Sequence, residues 1–91
     1  MKELTLANGK CDKETEYLID FQIIINQGDD MPTLKLNNKE IPISEYRQTD
    51  EHGRSYIHIR QHFTVDKDFK LILEYEDSVN VDTTTIKLTE E

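Results

Sequence analysis

Apolar side chains recur at every second position along most of this chain. From Tyr17 to Ile25 the odd positions are Tyr17, Ile19, Phe21, Ile23 and Ile25, with Asp20 and Gln22 among the residues between them. Successive side chains of a strand point to opposite faces, so this segment predicts a strand with one buried face. Leu18 and Ile24 are apolar at the wrong parity. Gln27-Gly28-Asp29-Asp30 then interrupts the pattern with turn-forming residues. Leu34 and Leu36 resume it, and Asn37-Asn38-Lys39 predicts a tight turn, because asparagine tolerates the left-handed backbone such turns need. Ile41 and Ile43 flank Pro42, which brings no N–H to a ladder and suits an edge or a short strand.

Farther on, Tyr46–Thr49 and Tyr56–Phe63 flank Asp50-Glu51-His52-Gly53, a hairpin loop by composition, with Ile57, Ile59 and Phe63 on one face. Thr64–Asp68 is a polar connection. Phe69, Leu71, Leu73 and Tyr75 alternate again, opposite Lys70, Glu74 and Glu76, and here Ile72 breaks the parity. A last strand over Thr83–Thr89 carries Ile86 and Leu88, and a short first strand carries Leu4 and Leu6. No segment sustains a helical period over the ten or so residues that would predict a helix. The expectation is a single all-β domain over residues 1–91, a small antiparallel sandwich or barrel of about seven strands. Both a hairpin and a placement in separate sheets fit the strands on either side of Asp66.

Composition narrows the class. Hydrophobic residues make up 35% of the chain, enough for one modest core. Cys11 is the single cysteine, so no internal disulfide forms, which favours a reducing compartment or a bacterial or viral origin. The residues after Met1 offer no apolar signal core, and the longest apolar run, Ile23-Ile24-Ile25, is far shorter than a membrane span. The expected location is the cytoplasm or a virion.

Charge singles out one region. The formal net charge is -8, yet all three arginines (Arg47, Arg54, Arg60) and all three histidines (His52, His58, His62) fall between positions 47 and 62. If Ile57 and Ile59 face the core, then Tyr56, His58, Arg60 and His62 form a row on the opposite face, about 6.5–7 Å apart. Such a row suits a phosphate, sulfate or carboxylate, or an acidic or aromatic patch on a protein. Tyr56, His58, Arg60, His62, Arg47 and Arg54 are therefore the candidate partner-binding residues. The competing reading is a solvated face balanced by neighbours, with Glu74 and Glu76 opposite His58 and Tyr56 if the strands around Asp66 form a hairpin. The net charge argues against direct nucleic-acid binding and against anionic membranes.

The segment Ile57-x-Ile59-x-x-x-Phe63-x-x-Asp66-x-Asp68-Phe69-x-Leu71-x-Leu73 resembles the late strands of immunoglobulin-like sandwiches. Leu34-x-Leu36-Asn37-Asn38-Lys39 followed by Tyr46 resembles the early hairpin of small bacterial and phage immunoglobulin-like modules. The resemblance extends over about two thirds of the chain, and without the Cys…Trp…Cys signature of antibody domains only the architecture carries over. It implies an adhesive or accessory module.

Other chemistry finds less support. His58 and His62 lie about 13 Å apart on a strand, too far to share a zinc ion, so no metal or cofactor is expected. Asp29-Asp30 and Asp66-Lys67-Asp68 are oxygen-rich but lack a calcium-loop pattern. No phosphate loop, nucleophile elbow or zinc-protease motif is present, and Cys11, with Lys10 and Lys13 nearby, has no base assigned to it; an enzyme is not expected. Glu74, Glu76, Asp77, Asp82, Glu90 and Glu91 suggest an alternative, a small acidic inhibitor that mimics a nucleic acid. Exposed Tyr46 and Tyr56 suggest another, a carbohydrate-binding accessory domain. Leu18, Ile24 and Ile72 offer an apolar patch for self-association or docking. The leading expectation is a non-catalytic module that binds a protein partner or a second copy through an exposed strand face.

Overall fold

The computed structural model describes residues 1–91 and contains eight strands: β1 (Lys2–Gly9), β2 (Thr15–Ile25), β3 (Thr33–Leu36), β4 (Lys39–Ile41), β5 (Glu45–Thr49), β6 (Ser55–Val65), β7 (Phe69–Tyr75) and β8 (Asn80–Glu90). They form two four-stranded antiparallel sheets, in the orders β1-β7-β3-β4 and β5-β6-β2-β8. Only β3–β4 and β5–β6 are hairpins; every other connection passes between the sheets. No helix is long and apolar enough to cross a membrane.

Alternation places the core between the two layers. From one sheet come Ile19, Phe21, Ile23 and Ile25 of β2 with Ile57, Ile59, Phe63 and Val65 of β6. The other sheet supplies Leu6, Leu34, Phe69, Leu71 and Leu73. β2 and β6 pair without interruption from Thr15↔Val65 to Ile25↔Ser55, so their buried faces coincide along their whole length. At one end Tyr17, Phe63 and Phe69 form an aromatic cluster with centroids 5.3–5.8 Å apart. Gly9 pairs with Phe69 and leaves room for its ring, since a Cβ there would stand 3.1 Å from Phe69 Cε1.

Two turns follow the local chemistry. Asn37 and Asn38 adopt φ of 51° and 67°, the left-handed pair that a two-residue hairpin requires. Asn37 also fastens this turn to the start of β7: its Oδ1 accepts from Lys70 N–H (2.9 Å). In the β5–β6 turn Gly53 has φ 83°, and Asp50 Oδ1 accepts from the backbone N–H groups of His52 and Arg54 (both 2.9 Å). The carboxylates of the other acidic turns are used in the same way. Asp29 accepts from Asn26 N–H (2.8 Å) and the Ser78 hydroxyl (2.6 Å), and Asp68 from Cys11 N–H (3.2 Å). The Cys11 thiol donates to the Lys13 carbonyl (2.7 Å).

Three expectations change here. The strands on either side of Asp66 are β6 and β7, and they lie in different sheets, so Glu74 and Glu76 do not face His58 and Tyr56. Glu74 instead pairs with Lys35, on the outer face of the other sheet. The last strand begins at Asn80 rather than Thr83, with Val79 buried just ahead of it, while Leu88 at 37% exposure is no core residue. Ile72 pairs with Thr5 and Lys35 in the sheet opposite that of Leu18 and Ile24, so the three form no common patch.

Candidate binding face

The parity that buries Ile57 and Ile59 turns Tyr56, His58, Arg60 and His62 outward on β6, and the aligned register of four strands fills the rest of that face. One row across the sheet runs Gln48, Tyr56, Ile24 and Asn80; the next runs Tyr46, His58, Gln22 and Asp82. Below them one row runs Arg60, Asp20 and Lys87, and the next His62, Leu18 and Thr89. Leu18 and Ile24, apolar at the outward parity, are half-buried members of this same face.

The cations of the predicted strip are met by carboxylates, mostly from β2. His58 Nε2 is hydrogen-bonded to Asp20 Oδ1, and Arg60 Nε lies 3.4 Å from Asp20 Oδ2. His62 Nδ1 lies 2.7 Å from Glu91 and 3.6 Å from Glu16. Arg54 pairs with Asp50 (3.3 Å) and rests over the Tyr56 ring, 5.9 Å from its centroid. His52 sits in the exposed turn, 3.5 Å from Glu51. Arg47 stands apart from the strip. It pairs with Ile57, so it shares the inward parity, and at the sandwich edge its guanidinium reaches Glu45 and Met31 Sδ (both 3.2 Å). Balancing neighbours thus exist, but they are Asp20 and Glu16 rather than Glu74 and Glu76.

A hollow of about 450 Å³ opens at the upper end of this face, lined by Gln22, Ile24, Tyr46, Gln48, Tyr56, His58 and Asp82 together with Ile23 and Ile57. Tyr46 is 66% exposed and Tyr56 42%, and they are diagonal neighbours across β5 and β6. A smaller hollow of about 180 Å³ adjoins it, lined by Ser44, Glu45, Tyr46, His58 and Arg60. Tyr46 and His58 border both. The edge strand shapes one side. Asp20 pairs with Lys87 and Gln22 with Asp82, so β8 must bulge over Thr83–Ile86 to keep step with β2. The bulge is held by its own threonines: Thr84 N–H and Oγ1 donate to Asp82 Oδ1 (3.1 and 2.6 Å), and Gln22 N–H donates to Thr85 Oγ1 (2.9 Å).

Of the side chains on this face, the charge pattern of the sequence singles out Tyr56, His58, Arg60 and His62; Gln22 and Gln48 join it only through strand register, and Asp82 stands out only as an acid of the mimic reading. Tyr46 was picked out for its aromatic ring and not for its place beside Tyr56. A cation would find three donors together at Glu16, His62 and Glu91, whose ligand atoms lie within 4.8 Å of one another. All three are exposed, and His62 Nδ1 already lies against both carboxylates. The acids of the mimic reading are scattered: Glu74 lies on the opposite sheet, Asp82 in the hollow, and Glu91 on His62. Comparison with known families, with curated proteins and with solved structures finds no match.

Proposed function

We propose that this chain is a non-catalytic binding module that engages its partner through the outer face of the β5-β6-β2-β8 sheet. One observation carries the reading: two exposed tyrosines and an array of polar side chains converge on the largest hollow of the molecule. Its volume falls within the range typical of ligand sites, and its mixture of apolar surface with a few placed polar groups is the usual composition of such sites. Arg60 and His62 extend the face below the hollow, and Arg54 supports its rim through Tyr56. Arg47 takes no part.

A protein partner, a second copy and a glycan all meet a face of this kind. The acidic-mimic reading has less behind it, because its acids are dispersed: Glu74 pairs with Lys35 on the opposite sheet, Asp82 lines the hollow and Glu91 stands against His62. The immunoglobulin-like kinship of bacterial or phage modules belongs to the same proposal, supported by the two-layer antiparallel architecture. The sheet orders differ from the ABED and CFG orders of antibody constant domains.

The test is retention of lysate components on immobilised protein, with proteins identified by mass spectrometry and sugars by composition analysis. Tyr46→Ala and Tyr56→Ala should lose what the wild type retains, and Arg60→Glu should weaken it. Lys70→Ala, on the opposite sheet, should retain it in full. Equal retention by the wild type and both tyrosine variants overturns the assignment of the face.

A further inference from the structure

We infer that the hollow between Tyr46 and Tyr56 is a subsite for a neutral, pyranose-containing glycan; this rests on the reading of the face as a binding surface. The lining chemistry selects the ligand. An anion such as a phosphodiester would meet the Asp82 carboxylate inside the hollow and a chain of net charge -8 around it. The nearest guanidinium groups, Arg54 and Arg60, already stand against Asp50 and Asp20. A wholly apolar anchor would cover the amides of Gln22 and Gln48 without offering them a partner. Gln22 lines the hollow, and its backbone N–H is held by Thr85 Oγ1. An extended peptide adds to a sheet at its edge, and here the hollow is centred on the face of β6 and β2, which are paired on both sides.

A pyranose fits what remains. Its C–H faces are apolar and pack on aromatic rings, while its equatorial hydroxyls both donate and accept. Amides of Gln22 and Gln48 do the same, Asp82 accepts, and the two tyrosines offer rings with polar tips. Arg54 over Tyr56 holds that ring in place. The adjoining hollow across Tyr46 gives a neighbouring sugar unit its place, with Ser44 and Arg60 within it. Gln22, Gln48 and Asp82 lie on paired strands, so this part of the site is formed before the ligand arrives.

Affinity electrophoresis tests this in native gels containing hydroxyethylcellulose, galactomannan, arabinoxylan, dextran or glycol chitin. The wild type should be retarded by at least one of these polymers, and by the same amount at low and high salt, because a neutral ligand has no charge to screen. Tyr56→Ala and Tyr46→Ala should each weaken retardation about tenfold, the loss expected for one aromatic contact. Gln48→Ala should weaken it less, and Lys70→Ala not at all. Unchanged near-ultraviolet circular dichroism of the variants, apart from the lost tyrosine, shows that they are folded. No retardation in any gel, retardation abolished by salt, or retardation kept by both tyrosine variants overturns the inference. If no polymer retards the protein while the tyrosine variants still lose a retained protein, the binding face stands and the glycan falls. If the tyrosine variants lose nothing in either experiment, both fall.

Discussion

Asn38 sits at φ 67° beside Asn37 at 51°, a backbone region that most side chains enter only at a cost of roughly 1–2 kcal/mol. Glycine enters it freely, and asparagine with less strain than other residues. Asn38→Gly should therefore raise the urea midpoint slightly, whereas Asn38→Val should lower stability by about 1–2 kcal/mol. Two carboxylates set a pH dependence at the same scale. The Ser78 hydroxyl and Asn26 N–H hold Asp29 below the usual carboxylate range, and the N–H groups of Arg54 and His52 with the Arg54 guanidinium do the same for Asp50. A depressed folded-state value means that the unfolded chain binds protons more readily. The stability gained is complete above the unfolded value and is lost as pH falls through the folded one. Urea midpoints should thus decline between about pH 5 and pH 3. The double variant Asp29→Asn, Asp50→Asn should start lower at neutral pH and show a flatter acid limb. Glu76 behaves oppositely, because Asp30 beside it pushes its carboxyl up. The turns of Asn37-Asn38 and Asp50–Gly53 were legible because their chemistry is local. The partners of His58 and Arg60 were not: Asp20 lies on a strand far away in sequence, and only register brings it alongside.

At the scale of the element, β2 and β6 are the parts that a two-residue period describes best. Ile19, Phe21 and Ile23 are closed off on one side by β6 and on the other by β8, with the second sheet above them. Ile59→Ala removes a side chain with no exposed surface from this layer. Its expected cost of about 2–5 kcal/mol approaches the whole stability of a small domain. Thermal unfolding should show a Tm lowered by well over ten degrees, or no cooperative transition at all, while Leu88→Ala should change it little. β8 was the least legible element. Its bulge over Thr83–Ile86 breaks strict alternation; Ile86 packs against the core, whereas Leu88, paired with Ile19 on the edge strand, stays exposed. Val79 and Val81 lie before the segment where the threonine run suggests a strand, and they pack against the core because β8 pairs with Ile23 and Ile24 there. The choice between hairpin and crossover around Asp66 was beyond local pattern, since both place Phe63 and Phe69 inward.

The whole molecule presents two unlike outer faces. One carries Lys35 and Glu74 as an ion pair around a half-buried Ile72. The other gathers Tyr46, Tyr56 and the polar array of the hollow above Arg60 and His62. The cluster of arginines and histidines in the sequence lies largely on this second face, where Arg60 and Arg54 stand against Asp20 and Asp50. The opening lies beside them, where glutamines and tyrosines meet. Salt should accordingly have little influence on what this face binds, which a binding series from low to high ionic strength would show directly.

The uninterrupted pairing of β2 with β6, and its bulged pairing with β8 on the other flank, also dictate an order of events. An isoleucine-rich strand made early in synthesis has to wait for partners encoded roughly thirty to seventy positions later, and β1 waits across roughly sixty to seventy for β7. Contacts this remote in sequence make for slow folding, on a scale of about milliseconds to seconds. While the nascent chain emerges, Ile23-Ile24-Ile25 has no native neighbour on either side. Newly made protein is thus far more exposed to misassembly than the finished fold, and its yield depends on how quickly the later strands arrive.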